Sequence, residues 1–222
     1  MAPGEIAAVI FDLDGVLLDS EMAWVEVKRE YTEETGGRWQ DRAELDMLGM
    51  SSIEWSRYMH DDLGVPVSPE RISSEVADRL VQRYRQRLPL LPGAVETVRS
   101  LAGRWPLGLA SSSNRNVIDL VVEEARLADA FRVTVSSEEV ERGKPAPDVY
   151  LEAARRLSVE PAACAAIEDS TNGIRSAHAA RMAVIAVPNP DFPPDPDALA
   201  LADVALDSLE QLTPDTVATL TP

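Results

Sequence analysis

Ile6-Ala7-Ala8-Val9-Ile10-Phe11-Asp12-Leu13-Asp14-Gly15-Val16 is the stretch whose reading decides the fold. Ile6 to Phe11 is apolar without alternation, which suits a strand buried on both faces of a parallel sheet. Two carboxylates, Asp12 and Asp14, follow at once. In open α/β sheets ligands bind outside the carboxyl ends of the strands, so acids placed here stand at the mouth of a crevice. Gly15 lets the backbone turn away sharply. Read alone, Asp-x-Asp-Gly is also a plain strand-to-turn signal, because Asp and Gly dominate turns.

Three further apolar runs end in polar groups. Leu107 to Ala110 leads into Ser111-Ser112-Ser113-Asn114, and a helical pattern follows to Glu124. Hydroxyls and free N–H groups at a helix N-terminus favour an anion, although Ser and Asn there also serve as ordinary caps. Gly143-Lys144-Pro145 precedes a helical pattern from Val149 to Leu157. Proline biases Lys144 toward extended geometry, so its point charge is available to a phosphate or to crowded carboxylates; a solvated loop lysine is the alternative. Ala163 to Ile167 ends in Glu168-Asp169-Ser170, with a helical stretch to about Met182. Asp12 and Asp169 make a carboxylate pair of the kind that binds magnesium together with substrate phosphate and water, and N-capping by Asp169 or Ser170 is the competing reading.

The ordered set Asp-x-Asp-Gly-Val, an apolar run ending in Ser, Gly-Lys-Pro and Glu-Asp-Ser resembles the four-motif signature of the haloacid dehalogenase-like hydrolases over nearly the whole chain. The closest pattern is the branch with a helical cap after the first motif, which holds sugar-phosphate phosphatases, phosphoglycolate phosphatase and β-phosphoglucomutase. The resemblance implies that Asp12 attacks phosphorus and becomes an aspartyl phosphate, which splits one displacement into two easier ones. Asp14 would protonate the leaving alkoxide and then deprotonate water, its backbone carbonyl helping to hold Mg2+. Ser111 and the amide of Ser112 would hold the transferring phosphoryl, Lys144 would neutralise it and orient Asp12, and Asp169 would bind the metal with Glu168 in support. Dehalogenases of this fold lack a carboxylate at the position of Asp14, so a small phosphorylated metabolite is the expected substrate. A β-phosphoglucomutase-like transfer is the alternative, although the cap histidine and arginine of that mutase fall, by counting, on Trp24 and Ser52. A non-enzymatic phosphoacceptor regulator is the remaining reading, and the chain is long for one.

The expected architecture is an α/β, doubly wound, mainly parallel Rossmann-like sheet with an inserted all-helical cap. Residues 1–16 and 91–222 form the catalytic core and 17–90 the cap. Within the cap, 20–36 and 68–88 carry helical spacing, and Leu48 to Ser52 reads as a turn starting another helix. Later strands are expected at 132–135, 183–187 and 203–206. The proline-rich stretch Pro188 to Pro196 is expected as a loop beside the site. With 222 residues, 45% of them hydrophobic, the chain is ample for a packed core.

Lys and Arg total 21 against 38 Asp and Glu, a formal charge of −17, which disfavours nucleic-acid backbones and anionic membranes as partners. Positive charge must then gather locally at the mouth. Arg79, Arg83, Arg85 and Arg87 are candidates, as is His60, with a solvated helix face as the plainer account of at least half of the arginines. Trp24, Trp55, Arg57 and Tyr58 line a pocket or pack cap helices, packing being the expectation for most. Cys164 lies in an apolar run and reads as a small core residue. No run is long enough to span a bilayer and no secretory pattern is present, so cytoplasmic residence is the default expectation. Nothing in the sequence speaks to oligomeric state.

Overall fold

The computed structural model describes residues 5–220. The strands β1 (Ala8–Phe11), β2 (Leu107–Ser111), β3 (Phe131–Ser136), β4 (Cys164–Glu168), β5 (Ala183–Ala186) and β6 (Val204–Ala205) form one sheet in the order β3-β2-β1-β4-β5-β6. Every neighbouring pair is parallel. This is the doubly wound order, and it reverses between β1 and β4, where such sheets open a crevice.

Both faces of the sheet are covered, which explains why the strand sequences are apolar throughout rather than alternating. Successive residues on a strand still point to opposite faces. Val9 and Phe11 of β1, Leu107 and Leu109 of β2 and Ile167 of β4 join one cluster, which includes Val98 and Leu101 of α5 (Ala94–Ala102) and Val117 and Ile118 of α6 (Arg115–Glu124). Ala8 and Ile10, Ala110, Ala166 and Val184 face the other way. They meet Val149, Tyr150 and Ala153 of α7 (Asp148–Leu157) and Ile174 and Ala177 of α8 (Thr171–Ala179). Two short helices, α9 (Pro196–Leu199) and α10 (Pro214–Ala218), follow β5 and β6.

Between β1 and α5 the chain makes four helices: α1 (Glu21–Glu34), α2 (Ala43–Asp46), α3 (Ser52–Asp61) and α4 (Pro69–Gln86). They leave and rejoin the sheet layer through paired segments. Leu18 bridges both Asp14 and Leu90, Asp19 N–H donates to Pro89 O at 2.9 Å, and Leu91 N–H donates to Leu17 O at 3.0 Å. The buried positions of α1, Trp24, Val27, Lys28 and Tyr31, recur at helical spacing, while its outer Glu26 and Glu30 are held by Arg83 of α4. α3 begins with a capping box between Ser51 and Glu54, and α4 with Pro69 in its first turn after Ser68. Among the described residues no helix is long and apolar enough to cross a membrane.

Candidate active site

The register of β1 against β4 builds the floor of the site. Phe11 pairs with Ile167, and the next N–H, that of Asp12, donates to Ile167 O at 3.0 Å, so Asp12 and Glu168 leave adjacent strands side by side. Lys144 comes from the loop ahead of α7 and donates to both, 2.8 Å to Asp12 Oδ1 and 2.6 Å to Glu168 Oε1. Its ammonium also lies 5.0 Å from the Tyr150 ring centroid, and Tyr150 Oη donates to Glu168 Oε1 at 2.7 Å. The other oxygen of Glu168 accepts from the backbone N–H of Asp169 at 3.1 Å. Two glycines make room for this density of acids. A Cβ on Gly15, whose φ is +75°, would overlap the Asp169 carboxylate, and one on Gly173 would overlap that of Glu168.

Asp12, Lys144, Glu168 and Asp169 are all buried, and burial shapes the ionisation of Asp12, Asp169 and Lys144. Burial pushes the Asp12 carboxyl up to about 8; Lys144 opposes that, and Glu168 and Asp14 add to it. Asp169 is raised well above the usual carboxylate range by burial first, then by Glu168 and Asp12. For Lys144, burial favours the neutral form, but the two carboxylates outweigh it and hold the ammonium. Asp12, Glu168 and Asp169 each offer an oxygen within 4.8 Å of the others. Asp169 Oδ1 is buried with no hydrogen-bond partner. An all-oxygen donor set with one orphaned oxygen fits a hard divalent cation, and burying this many acids is costly unless they are paired or coordinate a metal.

Asp14 stands above this floor and belongs to a different set of contacts. Its Oδ1 accepts from Trp24 Nε1 at 3.0 Å and its Oδ2 from Ser113 Oγ at 2.6 Å. Its carboxylate is outside the acidic trio, so the expectation that Asp14 serves the metal stays with its backbone carbonyl. At the end of β2 the serines divide. Ser112 and Ser113 line the cavity, while Ser111 is fully buried, its hydroxyl accepting from Ser113 N–H at 3.0 Å.

The cavity above these groups measures about 360 Å³, ample for a small metabolite. Asp12, Lys144 and Asp169 line its floor, and Asp14 lines it together with Glu21, Trp24, Lys28 and Trp55 of the inserted helices. Phe192 to Asp195 of the proline-rich loop, expected beside the site, also line it. Arg175 of α8 reaches the same wall, tied to Asp195 at 3.3 Å and Asp197 at 2.7 Å.

The cap arginines weighed as sources of positive charge at the mouth are engaged elsewhere or absent from the lining. Arg79 pairs with Glu34 and Arg83 with Glu26 and Glu30. His60 faces Val65 O and Val67 O across a turn. Trp24 and Trp55 do pack together, with ring centroids 5.9 Å apart, yet both also line the cavity and Trp24 touches Asp14. Arg57 is exposed, and Tyr58 donates to Asp46 at 3.0 Å. Ser52 is buried at the start of α3 and is absent from the cavity wall. Cys164 is a buried core residue whose thiol burial pushes up to about 12. Sequence reasoning missed Lys28, Glu21, Tyr150 and Arg175, and it read Ser113 as part of an anion site rather than as a partner of Asp14. The helical spacing of Glu21, Trp24 and Lys28 was the one signal that could have grouped three of the cavity residues.

A parallel sheet thus carries buried acids and a lysine at its switch point, and helices inserted after β1 complete the cavity wall. The haloacid dehalogenase-like hydrolase family model matches residues 9–187, and the chain belongs to that family. It is 36% identical to hexitol phosphatase B of Escherichia coli (strain K12) over 95% of this chain and 96% of that protein. The crystal structure of CbbY from Rhodobacter sphaeroides in complex with phosphate superposes with a TM-score of 0.83, at 27% identity, over 97% of this chain and 100% of that one. β-Phosphoglucomutase from Clostridium difficile shares the fold, with a TM-score of 0.81 at 24% identity over 96% of this chain and 95% of that one.

Proposed function

We propose that this chain is a magnesium-dependent phosphatase of small phosphomonoesters that works through an aspartyl-phosphate intermediate. The observation that carries the reading is that Asp12, fixed by Lys144, and Asp14, fixed by Trp24 and Ser113, line one cavity. That the relative of highest identity reported above is named a phosphatase supports it. In the first step an Asp12 carboxylate oxygen bonds to phosphorus as the phosphorus–alkoxide bond breaks, and Asp14 gives its proton to the leaving oxygen. In the second, water attacks phosphorus, Asp14 takes the proton, and the Asp12–phosphorus bond breaks to release phosphate.

Lys144 holds Asp12 Oδ1, leaving the other oxygen for attack, and meets the charge of the transferring group. Ser112, with Ser111 beneath it, receives phosphoryl oxygens at the end of β2. Asp12, Asp169 and the Asp14 carbonyl would hold Mg2+, with Glu168 in support. Bound there, the ion neutralises charge on the phosphoryl oxygens. Residues 17–90 act as the cap and 1–16 with 91–222 as the catalytic core. The mutase reading has fold likeness behind it, and the residues counted against its sugar-gripping pair remain Trp24 and Ser52.

Phosphate release from a panel of phosphomonoesters, with Mg2+ and with EDTA, tests the reading. Release that stops with chelator and returns with Mg2+ is the expected result. Isomerisation of β-glucose 1-phosphate to glucose 6-phosphate without net phosphate release would make the protein a mutase instead.

A further inference from the structure

Lys28 is one turn beyond Trp24 and two turns beyond Glu21 on α1, so the three side chains form one stripe on the helix, and all three line the cavity. The Lys28 ammonium lies 5.3 Å from the Trp24 ring centroid and 5.1 Å from that of Trp55. The residue is 8% exposed, and among the described residues its Nζ makes no ion pair or hydrogen bond. The other cations of the cavity are committed: Lys144 to Asp12 and Glu168, Arg175 to Asp195 and Asp197. An ammonium that lines the cavity with no acceptor among the described residues is free to donate to a ligand there.

The surroundings select the kind of ligand. Burial lowers Lys28 to about 8, and burial followed by the negative charge of Asp14 raises Glu21 to about 7. A second anionic group here would have to share one ammonium with the acidic side chains of Glu21 and Asp14, which line the same cavity. A hydroxylated, uncharged chain suits all the parties: its hydroxyls accept from Lys28 and donate to Glu21, and its C–H edges lie against the indole faces.

We propose, resting on the phosphatase reading above, that Lys28 is the specificity-determining residue of the cavity, its ammonium donating to the hydroxyls of an uncharged polyol or sugar chain on the substrate. Glu21 accepts from the same chain, and Trp24 and Trp55 flank it.

The test compares kcat/KM of the full-length protein with Mg2+ on a linear six-carbon polyol monophosphate and on n-propyl phosphate, which has no hydroxyl groups. The corresponding aldonic acid phosphate and a sugar bisphosphate are assayed beside them. The ratio of polyol to propyl phosphate, taken on one preparation, cancels any change in the folded fraction. Lys28→Met, which keeps an unbranched stem between the indoles, is expected to lower that ratio by roughly tenfold or more. Glu21→Gln is expected to lower it as well. An unchanged ratio in Lys28→Met would overturn the inference by making the ammonium structural. A wild-type preference for the acid phosphate or the bisphosphate over the polyol would overturn the uncharged class. Wild-type protein that releases phosphate from none of the four would remove the phosphatase reading itself, and the inference with it, a failure recognisable because it precedes any variant.

Discussion

At the scale of single residues, the site is a problem of fitting acids together without water. Lys144 is what makes Asp12 and Glu168 tolerable as neighbours, because both are buried and both touch its ammonium. Lys144→Met leaves two buried carboxylates uncompensated, and breaking a buried pair in this way costs about 3–5 kcal/mol. In that variant the Asp12 carboxyl rises further above its unfolded value. The folded state then binds more protons than the unfolded one, so stability falls as pH rises from the ordinary carboxylate range toward about 8 and beyond. Thermal unfolding of Lys144→Met across that range is expected to show a steeper loss of Tm with rising pH than wild type; a flat profile would contradict the account. Gly15 answers a different constraint. Its φ of +75° and the Asp169 carboxylate where a Cβ would stand both exclude alanine. Gly15→Ala is expected to lose the Tm increase that Mg2+ gives wild type, and a variant with the full increase would show that Asp169 can give way.

At the scale of elements, the site is made by where strands stop and helices start. Ser170 Oγ accepts from Gly173 N–H at 3.1 Å and caps α8 just after the acids of β4. Ser170→Ala is expected to cost about 1 kcal/mol in chemical unfolding, more than removal of the half-exposed Arg83 pairs between α1 and α4, which should cost less than that. The reverse ranking would mean the inserted helices depend on their surface charges. Element boundaries explain what was legible in the sequence. β1, β2 and β4 were readable because a short apolar run ending in polar residues is a local signal, and with them came Asp12, Asp14, Asp169 and the serines. α2 is four residues long, too short to show a period, whereas β6, a two-residue edge strand beside β5, lies inside the strand expected at 203–206. Ser113 and Trp24 escaped as partners of Asp14 for another reason. Their contacts span 99 and 10 residues, and they depend on the turn between β2 and α6 and on how α1 is rotated about its axis. Lys28 reads as an ordinary helix lysine until α3 brings Trp55 against it.

At the scale of the whole molecule, a chain of formal charge −17 has gathered its most crowded acids at the switch point of the sheet. A divalent cation binding there has to displace protons from Asp12 and Asp169, which are both raised. The apparent affinity for Mg2+ therefore increases as pH rises toward about 8. The Tm gain at a fixed Mg2+ concentration should grow over the same range, and a gain that shrinks with rising pH would contradict the proposed ligand set. The fold class and the order of motifs were legible because they are properties of the sequence pattern. The cavity wall was legible only in part: the proline-rich loop was expected beside the site, but Glu21, Lys28 and Arg175 join it through packing of segments far apart along the chain.

The most direct test of the central claim is to quench the enzyme in acid during turnover of a phosphomonoester with Mg2+ and map protein-bound phosphate by mass spectrometry. The account predicts a phosphorylated peptide containing Asp12, absent in Asp12→Asn, in which phosphate release falls by at least roughly a thousandfold. Phosphate release with no phosphoenzyme, or near-wild-type turnover by Asp12→Asn, would contradict it.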